Sequence, residues 1–213
     1  MSKSLEIKIC GINDELSMET ALDCEVEYIG LVFFKNSPRN ISIKFSKQLL
    51  KNRNTHSKIV ALTVNPDDDL ISKIIKNIQP DFIQLHGNET PERCLEIKNK
   101  FNILIIKGIG IQTREELHDS TRKFENHSDI LLFDAPSMSL PGGNGSKFNW
   151  SILKEYNYQK KWMLAGGLQS NNIQEAIKIT NAKAVDISSG VEVQKGIKSP
   201  KLIKDFVNIC RNI

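Results

Sequence analysis

The chain has no apolar run approaching the roughly 20 residues that a membrane-spanning helix needs, and its first residues, Met1 to Glu6, lack the apolar core of a signal peptide. A cytoplasmic protein without a membrane partner is the expectation. Nor is there a block of one charge. Lys and Arg number 29 against 25 Asp and Glu, for a net charge of +4, and the lysines from Lys3 to Lys204 are interleaved with acids. That pattern excludes the concentrated basic stripe that neutralises a nucleic-acid backbone and reads instead as solvated helix faces. The four cysteines, Cys10, Cys24, Cys94 and Cys210, have no short paired spacing. A zinc knuckle and a redox CxxC are thereby excluded, and in a reducing compartment free thiols are expected. No metal-ligand cluster can be assembled, so neither metal nor cofactor is expected.

What is present is the composition of a globular protein, with 25% charged and 39% hydrophobic residues over 213 positions, long enough for one sizeable core. Short runs of Ile, Val, Leu and Phe alternate with amphipathic stretches of helical length, the signature of repeated βα units around a parallel sheet. Eight strands are predicted: Glu6 to Cys10, Tyr28 to Phe33, Lys58 to Val64, Asp81 to His86, Ile103 to Lys107, Asp129 to Asp134, Trp162 to Ala165 and Ala184 to Ser188. Helices are predicted between them at Asn13 to Asp23, Ser46 to Lys51, Asp68 to Asn77, Pro91 to Lys100, Arg114 to Glu125, Asn149 to Glu155, Ser170 to Thr180 and Pro200 to Cys210. Thr90 before Pro91, Asp67 after Pro66, and Ser170 read as helix caps. Eight such pairs in this length favour one closed (β/α)8, or TIM, barrel over residues 1–213, with an open doubly wound sheet as the structural rival.

The polar residues decide between the two. Side chains alternate along a strand, so Lys8 and Cys10, Gln84 and His86, and Asp186 and Ser188 each share a face, while Lys107 and Asp134 close the fifth and sixth strands. Polar groups at the same end of successive apolar strands are costly unless they meet one another or a ligand. Singly, each has a bland reading. Cys10 is a small core hydrophobe, His86 a hydrogen-bonded structural residue, and Asp134 before Ala135 and Pro136 a turn former. Gly166-Gly167 after the seventh strand and Ser189-Gly190 after the eighth let backbone amides approach phosphate oxygens, the recurring phosphate corner of such barrels. The glycine-rich segment Pro141 to Gly145, just beyond Asp134, reads either as a water-excluding lid or as an ordinary solvent loop.

Together these segments resemble the phosphoribosylanthranilate isomerase family from the first strand to the last. The resemblance is carried by Lys8-Ile9-Cys10-Gly11, Gly30 to Phe33 leading to Ser37-Pro38-Arg39, and Gln84-Leu85-His86-Gly87 followed by Glu89. It continues through Asp134, Pro141-Gly142-Gly143, Phe148-Asn149-Trp150, Leu164 to Leu168 and Val185 to Glu192. Small departures fall at Asn144, where the family usually has Thr, and near Thr63, where an aromatic is common.

The resemblance implies a cofactor-free isomerase of tryptophan and aromatic amino acid biosynthesis. Its reaction is the Amadori rearrangement of the small-molecule substrate N-(5′-phosphoribosyl)anthranilate to an aminoketose. Apart from the resemblance, a monomer is the expectation, although the sequence carries no signal of oligomeric state. Asp134 would be the general acid and Cys10 the general base, by match to the family. The base then needs a lowered thiol pKa, and the acid needs surroundings that hold its proton. Arg39 would hold the anthranilate carboxylate, with Gly143, Gly166, Gly167, Ser189 and Gly190 on the phosphate side and His86 at the barrel mouth. A buried Lys8–Asp186 pair beneath the site is expected from their adjacent strands. Two alternatives share the phosphate corner. One is another phosphate-barrel enzyme such as indole-3-glycerol-phosphate synthase or a ribulose-phosphate epimerase, and the other is a sugar-phosphate-binding barrel without catalysis. Cys10 with Ser37-Pro38-Arg39 argues against the first, and the presence of both Cys10 and Asp134 against the second.

Overall fold

A computed structural model of the chain describes residues 5–52, 56–135, 149–154, 156 and 160–213. Gly143 and the rest of the 141–145 segment lie outside the described residues. Among the described residues no helix is long and apolar enough to cross a membrane.

Strands β1 (Glu6–Cys10), β2 (Tyr28–Val32), β3 (Lys58–Thr63), β4 (Phe82–Leu85), β5 (Leu104–Gly110), β6 (Ile130–Asp134), β7 (Trp162–Leu164) and β8 (Ala184–Ile187) pair in parallel in chain order. The first strand also pairs with the last, Glu6 opposite Ala184 and Lys8 opposite Asp186, so the sheet closes on itself. The open-sheet rival is excluded by that one pairing. Helices α1 (Glu15–Asp23), α2 (Ile43–Leu49), α3 (Asp68–Ile78), α4 (Pro91–Phe101), α5 (Arg114–Phe124), α6 (Ile173–Thr180) and α7 (Pro200–Arg211) follow β1 to β5, β7 and β8. A two-stranded hairpin, β9 (Glu192–Gln194) with β10 (Ile197–Lys198), intervenes between β8 and α7.

Local chemistry sets most boundaries. Asp67 and Thr90 accept from the backbone amides of Leu70 and Arg93, closing the first turns of α3 and α4 as predicted. Helix α2 begins three residues earlier than predicted because Ser42 caps it, accepting from Phe45 N. Ser170 does not cap α6. Asn172 ends the turn instead, its amide donating to Gly167 O at 2.9 Å and its carbonyl accepting from Gln169 N at 2.8 Å, so the helix starts at Ile173. The sixth predicted helix is a single 3₁₀ turn, Trp150–Leu153.

Alternation divides the apolar residues into two shells. Ile7, Ile9, Ile83, Leu85, Ile105, Ile109, Leu131, Phe133, Val185 and Ile187 face the helices. Tyr28, Val60, Phe82, Ile106, Ile130, Leu132, Met163, Ala165 and Ala184 fill the barrel interior. This inner plug is a solid floor, with Tyr28 and Phe82 in edge contact at 5.9 Å. Lys8, in register with Tyr28, and Cys10, nearer the C-terminal end, share the inward face of β1.

Lys107 is a correction. β5 runs three residues beyond it and pairs Ile109 with Phe133 and Gly110 with Asp134, so Lys107 lies mid-strand. Like Ile105 and Ile109 it faces the helices, where it donates to Leu85 O, Gly87 O and Glu89 Oε2.

Candidate active site

The C-terminal ends of the strands enclose a cleft of about 770 Å³ including its open mouth. Cys10, Arg39, His86, Asp134, Gly166, Gly167 and Ser189 all line it. Gly190 does not, because a Cβ there would lie 2.0 Å from Leu168 O, so this glycine allows the turn after β8 to pack on the loop after β7. Gln84, which also lines the cleft, has its Oε1 buried without a partner.

Cys10 ends β1 and is buried. Lys8, one step deeper on the same face, is wholly buried and meets Asp186 at 2.8 Å, the pair expected from the sequence. Gly30 on β2 makes room for this group, since a Cβ there would stand 2.9 Å from Cys10 Sγ and 3.2 Å from Lys8 Nζ. Burial works against the Lys8 ammonium, but Asp186 and Cys10 outweigh it and hold its pKa above the ordinary lysine value. Burial also pushes the Cys10 thiol up, and Lys8 only partly offsets this, because Asp186 opposes it. The lowered thiol pKa required of a ready base is therefore not found. Lys8 cannot provide it, as its charge is already matched by a carboxylate.

Asp134 ends β6. Its Oδ1 accepts from Ala135 N at 2.7 Å, and its Oδ2 lies 3.4 Å from His86 Nε2. The Gln84 amide meets His86 Nδ1 at 3.0 Å, which leaves Nε2 as the ring atom directed at Asp134. Glycine spacing matters on both sides of this group. Gly108 within β5 accommodates the imidazole, a Cβ there falling 2.2 Å from His86 Nδ1. Gly166, at φ +85°, would bring a Cβ within 3.0 Å of Asp134 Oδ1. With Gly167 at φ +68° it turns the backbone through a conformation closed to most residues, and Asn172 pins that turn from the start of α6.

Arg39 is buried rather than solvent-exposed. It forks onto Glu192, with Nε to Oε1 at 2.6 Å and Nη2 to Oε2 at 2.9 Å. Lys198 reaches the same carboxylate at 2.8 Å and donates to Ser188 O and Oγ. Ser188 in turn donates to Cys10 O at 3.0 Å. Burial raises the Glu192 carboxyl, but Arg39 and Lys198 outweigh it, and its pKa lies below the ordinary value. Burial depresses the Lys198 ammonium, with Glu192 acting against that. Neither Glu192 nor Lys198 had a role assigned from the sequence, although Glu192 ends the Val185 to Glu192 segment.

Comparison with known proteins agrees along the whole chain. The family model described as N-(5'phosphoribosyl)anthranilate (PRA) isomerase matches residues 7–209. Proteins named N-(5'-phosphoribosyl)anthranilate isomerase from Parvibaculum lavamentivorans and Beijerinckia indica are 38% and 40% identical to it. The alignments cover 98% and 96% of this chain and 99% and 93% of theirs. The crystal structure of phosphoribosyl anthranilate isomerase from Thermotoga maritima superposes with a TM-score of 0.88 at 27% identity, over 98% of this chain and all of that one. A second structure, solved in complex with reduced 1-(o-carboxyphenylamino)-1-deoxyribulose 5-phosphate, gives 0.85 at 27% identity, with the same coverage of both chains. The chain belongs to the phosphoribosylanthranilate isomerase family.

Proposed function

We propose that this cleft rearranges N-(5′-phosphoribosyl)anthranilate to 1-(2-carboxyphenylamino)-1-deoxyribulose 5-phosphate, with Asp134 as general acid and Cys10 as general base. The observation that carries the reading is that Cys10 and Asp134, from strands β1 and β6, line one cleft over an apolar floor. Asp134 gives its proton to the furanose ring oxygen, the C1–O bond breaks, and the aniline nitrogen lone pair forms the iminium at C1. Cys10 then takes the C2 proton, and the electron pair moves to neutralise the iminium as an enolamine. Protonation at C1 and loss of the C2 hydroxyl proton give the ketone.

Cys10 must be a thiolate to take that proton, and burial of the thiol works against this. The iminium is the positive charge that favours loss of the C2 proton beside it. His86, held by Gln84, directs Nε2 at Asp134 and so orients the acid. Arg39 is read as the holder of the substrate carboxylate, with its Nε and Nη2 edge on Glu192 and its Nη1 end left for the incoming group. Gly166, Gly167 and Ser189 are read as the phosphate side, where the positive-φ glycines Gly166 and Gly167 present amides; Gly190 serves that side only by letting the turn after β8 pack on the loop after β7, and Gly143 would contribute from beyond β6.

The test follows loss of substrate fluorescence by the purified protein in metal-free buffer, with Cys10→Ala and Asp134→Asn in parallel. Turnover by the parent and its loss in both variants is the expected result. Near-parental turnover in either would remove that residue's role.

A further inference from the structure

Three lysines are buried in the described residues, and their charge environments differ. Lys8 faces Asp186 and Lys107 faces Glu89, each a neutral pair. Lys198 shares its carboxylate, Glu192, with Arg39. Two cations and one anion leave a buried charge of +1 beside the cleft. Glu192 occupies the Nε and Nη2 edge of the guanidinium, so the Nη1 end remains, and among the described residues Nη1 makes no hydrogen bond.

The hairpin after β8 makes this possible. Its pairing shifts register between Ile197 and Lys198, which puts Lys198 opposite Glu192; strand alternation leaves Ile197 half-exposed and the Lys198 side chain completely buried. A buried net charge is costly when the site is empty, and an incoming anion relieves that cost. Were Lys198 absent, Arg39 and Glu192 would already neutralise each other, and a carboxylate entering beside them would itself be the uncompensated charge.

We propose that Lys198 is a specificity-determining residue: by neutralising Glu192 it leaves Arg39 the surplus positive charge that selects substrates bearing a carboxylate on the aryl amine. This rests on the reading of Arg39 as the carboxylate holder. Lys198 acts through Glu192 and Arg39 rather than by contact with the reacting atoms, so it is not itself a catalytic residue.

Two stable probes separate the possibilities: reduced 1-(o-carboxyphenylamino)-1-deoxyribulose 5-phosphate, and the same compound without the carboxyl group, each titrated by calorimetry. The readout is the ratio of the two dissociation constants. Lys198→Met should lower the preference for the carboxylated probe by about tenfold or more and leave binding of the other within about twofold. Glu192→Gln/Lys198→Met returns the local charge to +1 and should recover most of the preference. Glu192→Gln alone, which keeps Lys198 and raises the local charge to +2, should increase it, and this arm stands even if Lys198→Met does not fold. An unchanged ratio in Lys198→Met, equal weakening of both probes, no recovery in the double variant, or a fall in Glu192→Gln would each overturn the proposal. Arg39→Ala distinguishes the two levels. If it leaves the ratio intact, the Arg39 reading itself fails; if it erases the ratio while Lys198→Met does not, only the role of Lys198 fails.

Discussion

Lys8 with Asp186 and Lys107 with Glu89 are the same chemical pair, closed at 2.8 and 2.9 Å, on opposite faces of one barrel wall. Lys107 faces the helices and is fully satisfied by two carbonyls and a carboxylate, while Glu89 also accepts from the amides of Asn65 and Gly87. It ties together the loops after β3 and β4. Lys8 faces the interior, where its other neighbour is the Cys10 thiol. The same ion pair is thus a structural tie where its donors end on backbone and, on the other face, a charged neighbour of the thiol proposed as the base. What it does depends on which face of the strand it occupies.

Separating activity from stability on the two faces puts this contrast at risk. The largest effect is expected for the inward residues. Asp134→Asn and Cys10→Ala should each lower kcat by about 10²–10⁴-fold, with thermal midpoints close to the parent by calorimetry; a matching fall in stability would erase the distinction. On the outward face, Glu89→Leu strands the Lys107 ammonium in the protein and should cost about 3–5 kcal/mol of unfolding free energy. Urea titration measures this, and specific activity per folded molecule should be largely kept.

Arg39→Ala, also facing the cleft, should raise KM by roughly tenfold or more with a smaller loss in kcat, read from steady-state kinetics. The smallest effect concerns protonation. Because burial raises the Cys10 thiol pKa above its ordinary value of 9.0, the thiolate fraction is low at neutral pH and grows as pH rises. Alkylation of Cys10, followed by mass spectrometry, should therefore accelerate through pH 9 and beyond. A midpoint below 9.0 would mean that Lys8 prevails over burial.

Much of the barrel was legible because strand alternation and helix caps are local signals. Cys10, Asp134, Arg39, His86, Gly166, Gly167 and Ser189 were placed by motif order, and the strand ends bring them to one cleft. The misreadings have physical causes. The fifth strand is predicted to stop at Lys107, whereas β5 runs on through Gly108, which leaves space for His86. The group of Arg39, Glu192 and Lys198 joins residues up to 159 positions apart through an irregular hairpin, and no periodicity in a single segment announces such a meeting.

The pairing of the first strand with the last has a consequence for biogenesis. Lys8 is made 178 positions before the carboxylate that matches it. Until β8 docks, the ammonium lacks the partner it meets in the fold, so a growing chain holds Lys8 and the Cys10 thiol beside an unfinished wall. A chain that has reached Asp134 but not Asp186 contains both proposed proton-transfer groups without the pairing that closes the barrel around them.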